Sequence, residues 1–295
     1  MMGRTRWTQG RMAAAFLLTA GAALVAGLVW RERRKAHLGA EQIVYPPLDT
    51  LKPVSGDLWI VDSGPVRPFG LSLPVRMTVV RLLEGDILVY SPTRLTAELS
   101  RELAALGPVR HLVAPSIGHW TFLEDWQQAY PEATTWAVPG LRHRPQVRRA
   151  RLRIDHDLHS NPADVWAESL DQGLLSGGGF EEVYLYHRPS RTLILADLVQ
   201  NLEPARLPPL SRLMMNLVRS TSGETPLHVR LALKLGRDRA APALRKMLAL
   251  EPERVVFAHG LWFENRGAER LRTAVAKLAR DLGEAPEPRK TPMGG

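Results

Sequence analysis

Between residues 51 and 283, short apolar runs alternate with segments whose apolar positions recur every three or four residues. Residues 58–62 (LWIVD) read as a strand. The runs 77–83 (MTVVRLL) and 86–90 (DILVY) flank Glu84-Gly85, the pattern of a β-hairpin. Residues 96–106 place apolar side chains at 99, 103 and 106 and stop at Gly107-Pro108, which predicts a helix. A buried strand is predicted at 111–114 (HLVA), a helix at 121–130 and another strand at 134–138 (TTWAV). The second half repeats this order. Residues 183–187 and 192–198, joined by Arg188-Pro189-Ser190, predict a second hairpin. Residues 205–219, 238–250 and 268–282 predict helices, and 254–258 (RVVFA) a strand that runs into His259-Gly260. Strands and helices in both halves fit an α/β fold, an α+β sandwich in which helices cover packed sheets.

Residues 12–30 (MAAAFLLTAGAALVAGLVW) follow a different rule. They carry no charge and lie between Arg11 and the RERRK run at 31–35. As a helix, at about 1.5 Å per residue, they would extend roughly 28 Å, close to the ~30 Å hydrocarbon core of a bilayer. Trp30 falls where an interfacial aromatic is favoured. This predicts a single transmembrane anchor. A cleaved signal peptide is the main competitor, with Ala20-Gly21-Ala22 as its cleavage site, although apolar residues continue after Ala22. A buried core helix is the plain alternative. Three basic residues precede the span and four follow it at once, which leaves orientation nearly balanced; the domain is placed on the cytoplasmic side. The expected organisation is then a basic tail (1–11), the anchor (12–30), a juxtamembrane linker (31–50), one folded domain (51–283) and a disordered tail (284–295) rich in Pro and Gly.

Composition narrows the chemistry. The chain of 295 residues is 45% hydrophobic and 23% charged, which excludes a disordered, collagenous or polytopic membrane protein. It has no cysteine, so disulfides and thiolate metal sites are excluded and any metal falls to His, Asp or Glu. The net charge of +9 suggests nucleic-acid binding until its distribution is considered. Residues 1–40 hold seven basic side chains against one acid, bracketing the apolar segment. The other concentration is Arg142, Arg144, Arg148, Arg149, Arg151 and Arg153, with no acid among them. On an anchored domain these Arg would meet anionic lipid headgroups, each contributing about 1 kcal/mol. A solvated patch is the plain alternative. Nucleic acid is disfavoured, because no stacking aromatics interleave with the run.

Three stretches carry a family likeness: VRHLVAPSIGHW (109–120), EEVYLYHRPSRTLILADLV (181–199) and EPERVVFAHG (251–260). They resemble the metallo-β-lactamase superfamily. LKPVSGDLWIVDSGPV, MTVVRL and HRPSRTLILADLVQN are similar to a bacterial group within it, domain of unknown function 4336. The resemblance implies a four-layer αββα fold over roughly residues 51–280, with metal ligands on loops at strand ends. The superfamily's hydrolases use an H-x-H-x-D-H motif, a later His, a bridging Asp and a last His to hold two metals. Here the motif's place reads Pro115-Ser116-Ile117-Gly118-His119-Trp120, with one His, and Ser176–Phe180 supplies no middle His. Asp197 and His259 match the bridging Asp and the last His. The implied site is therefore reduced: His119, Asp197 and His259 around one divalent ion (zinc, manganese or iron), with a position left for water.

Each residue has a plainer reading. Asp197 can cap a turn, His259 can bond a carbonyl and His119 can pack in its loop. Asp155-His156-Asp157-Leu158-His159 looks metal-like but falls outside the likeness and reads as a solvated loop. His187 and Arg188 are expected at the surface of a turn, and Gly177-Gly178-Gly179 as a flexible connection. Two functions remain open: a membrane-anchored, single-metal hydrolase acting on an ester, thioester, amide or phosphoester, or a non-catalytic binding or scaffold module on the same fold.

Overall fold

Strand order follows from how each connection is made. The computed structural model describes residues 40–284. The predicted anchor at 12–30, the basic tail before it and residues 285–295 lie outside the described residues. Among the described residues no helix is long and apolar enough to cross a membrane. A short helix α1 (Ala40–Ile43) leads into a seven-stranded sheet in sequential order: β1 (Lys52–Ser55), β2 (Leu58–Val66), β3 (Leu73–Arg81), β4 (Ile87–Tyr90), β5 (Val109–Ala114), β6 (Thr134–Ala137) and β7 (His156–Asp157). Tight turns make β1 to β4 antiparallel. The crossovers α2 (Ala97–Leu106) and α3 (Leu123–Ala129) make β4, β5 and β6 parallel neighbours. Thr96 caps α2, its hydroxyl accepting from the Leu99 N–H at 3.1 Å. Every residue of β4 is buried, as a strand covered on both faces requires.

The second sheet holds β8 (Leu170–Gly177), β9 (Phe180–His187), β10 (Thr192–Ile194) and β11 (Arg254–Val256) in the order β11-β10-β9-β8. Between β10 and β11 the chain forms α5 (Pro209–Leu217), α6 (Leu227–Leu235) and α7 (Arg237–Leu248); α4 (Pro145–Arg149) belongs to the first half, and α8 (Gly267–Asp281) follows β11. One buried cluster joins Val89 and Leu112 of the first sheet to Leu185 and Ile194 of the second. Tyr90 Oη donates to the Val183 carbonyl at 2.8 Å across the same gap. A second cluster covers the outer face of the second sheet, with Tyr184 and Val255 against Leu233, Leu244 and Leu278 of α6, α7 and α8. The layers are helix, sheet, sheet, helix.

Four expectations change. Gly177–Gly179 is no flexible connection. Gly177 pairs with Phe180 in a β8–β9 hairpin, and Gly178 and Gly179 turn it with φ of +52° and +83°. A Cβ on Gly178 would press on the Ala232 backbone of α6 at 2.6 Å. His187 is not a surface residue: it is 2% exposed, because β9 lies between β8 and β10, and its Nδ1 meets Ser190 Oγ at 2.7 Å. Residues 155–159 are largely solvated as expected, with Asp155, His156 and His159 exposed, but not all loop, since His156 and Asp157 pair with β6 as an edge strand. Residues 42–50, read as linker, also contribute: Ile43 packs with Leu202, Leu207 and Met215.

Candidate metal centre

The loops that follow β5, β10 and β11 converge at one end of the two sheets. Parallel pairing of β10 and β11 continues past the strands, with Leu195 N–H to the Val256 carbonyl (2.9 Å) and Ala258 N–H to the Ala196 carbonyl (3.2 Å). This keeps Asp197 level with His259. Gly260 then turns at φ +93°, and a Cβ there would overlap the Asn201 carbonyl. Strand β3 fixes the His259 turn from the other sheet. His259 Nδ1 donates to the Pro74 carbonyl at 2.8 Å. Arg76 Nη1 donates to the carbonyls of Phe257 (3.0 Å) and Gly260 (2.7 Å), on either side of His259. Arg76 is itself held by Asp62 at 2.6 Å, which also takes Lys52 Nζ at 2.8 Å.

The Asp197 backbone rests on a buried carboxylate. Glu182 of β9 accepts the N–H groups of Ala196 (2.9 Å), Asp197 (2.6 Å) and Leu198 (2.9 Å). Burial, then the Asp197 charge, pushes its carboxyl up to about 7. A lone β-bridge between Ser116 and Glu182 brings the loop after β5 to the same place. Arg144 holds that loop from outside, donating to the Ile117 carbonyl at 2.6 Å.

The three residues singled out in the sequence meet here. His119 Nε2 lies 3.2 Å from Asp197 Oδ2, and His259 Nε2 3.3 Å from Asp197 Oδ1. Their ligand atoms all fall within 4.8 Å of one another, and the imidazole centroids are 5.3 Å apart. Both ring orientations are set from behind. His259 uses Nδ1 on Pro74, and His119 Nδ1 meets Ser91 Oγ at 2.5 Å. Ser91 stands at the end of β4 with φ +59°, a left-handed conformation held by its N–H bond to the Val113 carbonyl (2.9 Å). Ser116 Oγ (3.0 Å) and Gln200 Nε2 (3.3 Å) donate to the two Asp197 oxygens.

Charge follows this geometry. Burial pushes the Asp197 carboxyl up, but the imidazoles of His119 and then His259 outweigh it and hold it well below the usual range. Burial pushes His119 down, and the Asp197 charge outweighs that and leaves it raised. In the metal-free state the cluster is a carboxylate bridging two imidazoles. Donors on one metal at ~2.0–2.2 Å lie about 3.4 Å apart in a tetrahedral set. The imidazoles stand 3.2 and 3.3 Å from different Asp197 oxygens and one ligand atom from each residue lies within 4.8 Å of the others, so a shared ion fits once the side chains draw together.

The other sequence candidates lie elsewhere. Asp155 accepts from Thr135 N–H (2.8 Å), Asp157 pairs with Arg142 (2.8 Å) and His156 stacks on Trp136. Of the six Arg, three are engaged within the fold: Arg142 on Asp157, Arg144 on Ile117 and Arg153 on Asp155. Arg148, Arg149 and Arg151 are exposed. Sequence reading passed over Ser91, Arg76 and Glu182. The signal for the last two was a charge inside an apolar strand run, PVRMTVV and EEVYLY.

Two sheets under helices, with His and Asp gathered at strand ends, define the metallo-β-lactamase fold class. The chain is similar to the solved DIM-1 metallo-β-lactamase at 12% identity, over 77% of this chain and 96% of that one (TM-score 0.52). It is also similar to the metallo-β-lactamase of Pontibacter korlensis (14%; 77% and 97%; TM-score 0.51) and to FIM-1 of Pseudomonas aeruginosa, solved in a mono-zinc form (13%; 81% and 96%; TM-score 0.52). At these identities the likeness establishes the fold. Residues 56–232 match the family model described as Domain of unknown function (DUF4336), and the chain belongs to that family. No curated protein matches the sequence.

Proposed function

We propose that this protein is a single-metal hydrolase, with His119, Asp197 and His259 as the ligands of one zinc, manganese or iron ion. The observation that carries the reading is the convergence of the three ligand atoms while each imidazole's other nitrogen is already occupied. That pattern leaves both Nε2 atoms facing the shared carboxylate. A divalent ion bound there supplies Lewis acidity and lowers the pKa of water. The chain's own residues do the rest. Ser91 and the Pro74 carbonyl fix the rings, Glu182 fixes the Asp197 backbone, and Ser116 and Gln200 orient its oxygens.

One observation favours a second reading, a non-catalytic binding module. The Asp197 oxygens already accept from Ser116 and Gln200 and stand 3.2 and 3.3 Å from the two imidazoles, a set of polar contacts made without a metal. A panel of ester, thioester, amide and phosphoester substrates separates the two. The hydrolase reading expects turnover that chelator abolishes, that metal restores and that Asp197→Asn lacks. Metal binding without turnover of any class would leave the module.

We further propose that residues 12–30 anchor the protein in a membrane with the domain on the cytoplasmic side, and that Arg148, Arg149 and Arg151 face anionic headgroups. The uncharged run between basic flanks supports this. Recovery of the intact full-length chain in the soluble fraction would refute it.

A further inference from the structure

We infer that the outward faces of α5 and α6 rest on the surface of an anionic lipid bilayer. Both helices are amphipathic in the unusual sense that apolar residues occupy their solvent side. On α5, Ser211 and Met215 face inward, whereas Leu213 and Leu217 are 57% and 62% exposed. On α6, Val229 and Leu233 are buried, whereas Leu231 and Leu235 are 55% and 82% exposed. Among the described residues nine large hydrophobic side chains are exposed, and six of them lie on these two consecutive helices. The helices adjoin, the Leu227 N–H donating to the Val218 carbonyl at 2.8 Å.

Two observations point to lipid as the occupant, and a third ties the face to the candidate centre. First, the described chain begins on this flank: Ile43 packs on Met215, and Arg206 Nη1 reaches the Val44 carbonyl at 3.3 Å. The nine residues 31–39 separate Ala40, where α1 begins, from the uncharged run 12–30 and can span at most about 32 Å. Second, the two helices carry no acid and expose Arg212 and Lys234, the charge that anionic headgroups attract, while Arg230 is paired inward with Asp281 at 2.6 Å. Third, the turn after α5 is stitched to the metal centre. Leu202 N–H donates to the Ser220 carbonyl (3.0 Å) and Gln200 N–H to the Glu224 carbonyl (3.1 Å), beside Asp197. A domain seated on α5 and α6 therefore holds the candidate centre alongside the headgroups. The inference concerns the folded domain and goes beyond the anchor reading of residues 12–30.

The chain's lack of cysteine makes the test direct. Full-length Leu213→Cys, Leu217→Cys and Leu231→Cys carry an environment-sensitive fluorophore. Ala105→Cys, exposed on α2 in the opposite outer layer, is the reference. Each is mixed with phosphatidylcholine vesicles containing phosphatidylglycerol and spin-labelled lipid. The expected result is blue-shifted emission and lipid quenching at the three helix positions at least ~3-fold above Ala105. Quenching equal to Ala105 overturns the inference. In that case, energy transfer between labels that falls on dilution assigns the face to a second copy. Shielding lost on deletion of residues 12–30 assigns it to that segment. Whether the chain is anchored is read separately by alkaline extraction, and a chain that extracts as soluble is still tested by the added vesicles.

Discussion

Arg76→Met isolates the link between the two sheets and the His259 turn. Arg76 is 3% exposed and holds three oxygens at once: the Phe257 and Gly260 carbonyls and Oδ1 of the Asp62 carboxylate, whose Oδ2 takes Lys52. Methionine fills similar space, so the cavity cost is small and the polar loss dominates. Removing one partner of a buried ion pair costs about 3–5 kcal/mol, because Asp62 is left with Lys52 alone. Two carbonyls also lose donors, at about 1 kcal/mol each where water cannot replace them. Retention of Lys52 offsets part of this, giving a net loss of about 3–6 kcal/mol, a large share of a typical domain's stability. Guanidinium denaturation reads it as a fall in midpoint at constant slope. Where Arg76→Met proves too unstable, Arg76→Lys retains the charge but not both carbonyl bonds and gives a smaller loss of the same sign. A double-mutant cycle with Asp62→Asn is expected to show coupling above about 1 kcal/mol. A loss below about 1 kcal/mol, with no coupling, would refute the clamp.

Three further outcomes follow from the site. Ser91→Ala frees the His119 ring and is expected to weaken metal binding about 10-fold with little change in denaturation midpoint, read by competition with a chromogenic chelator; unchanged affinity would remove Ser91 from the site's support. Metal affinity should rise with pH through the raised His119 pKa, because the ion displaces a proton that Asp197 holds there; a flat profile from pH 6 to 8 would contradict that coupling. Glu182, raised to about 7, favours the folded state most below its ordinary value and loses that contribution as pH rises toward 7. Glu182→Gln should therefore flatten the metal-free stability profile between about pH 4.5 and 7, and an unchanged slope would show that Glu182 titrates normally.

Burial on both faces made β4 and β5 readable, because it leaves unbroken apolar runs. Thr96 and Gly107 punctuated α2 as caps should. Short elements such as β1, β7, α1 and α4 escaped, and two longer ones did so for physical reasons. In β8, Asp171 and Gly173 interrupt the apolar pattern; Gly173 is there because the Tyr184 ring of β9 occupies the space its Cβ would need. In α6, apolar residues at 227, 229, 231, 233 and 235 give a strand-like period of two. Leucines stand on both its buried and its exposed face, which masks the helical pattern behind the alternation. Asp197 and His259 were legible because they follow strand ends and match positions of the family pattern, whereas His119 stood out as the lone His in the loop after β5. The triad's supports were not legible, because Ser91, Arg76 and Glu182 act on residues 28, 181 to 184 and 14 to 16 positions away, where sequence periodicity carries no information.

The central claim rests on one ion at His119, Asp197 and His259. Elemental analysis of the purified full-length protein, after reconstitution with zinc, manganese or iron(II), tests it most directly. The account predicts about one equivalent of metal in the wild type and in His156→Ala, and its loss in Asp197→Asn and in His119→Ala. Less than about a tenth of an equivalent in the wild type, or full retention in Asp197→Asn, would contradict it.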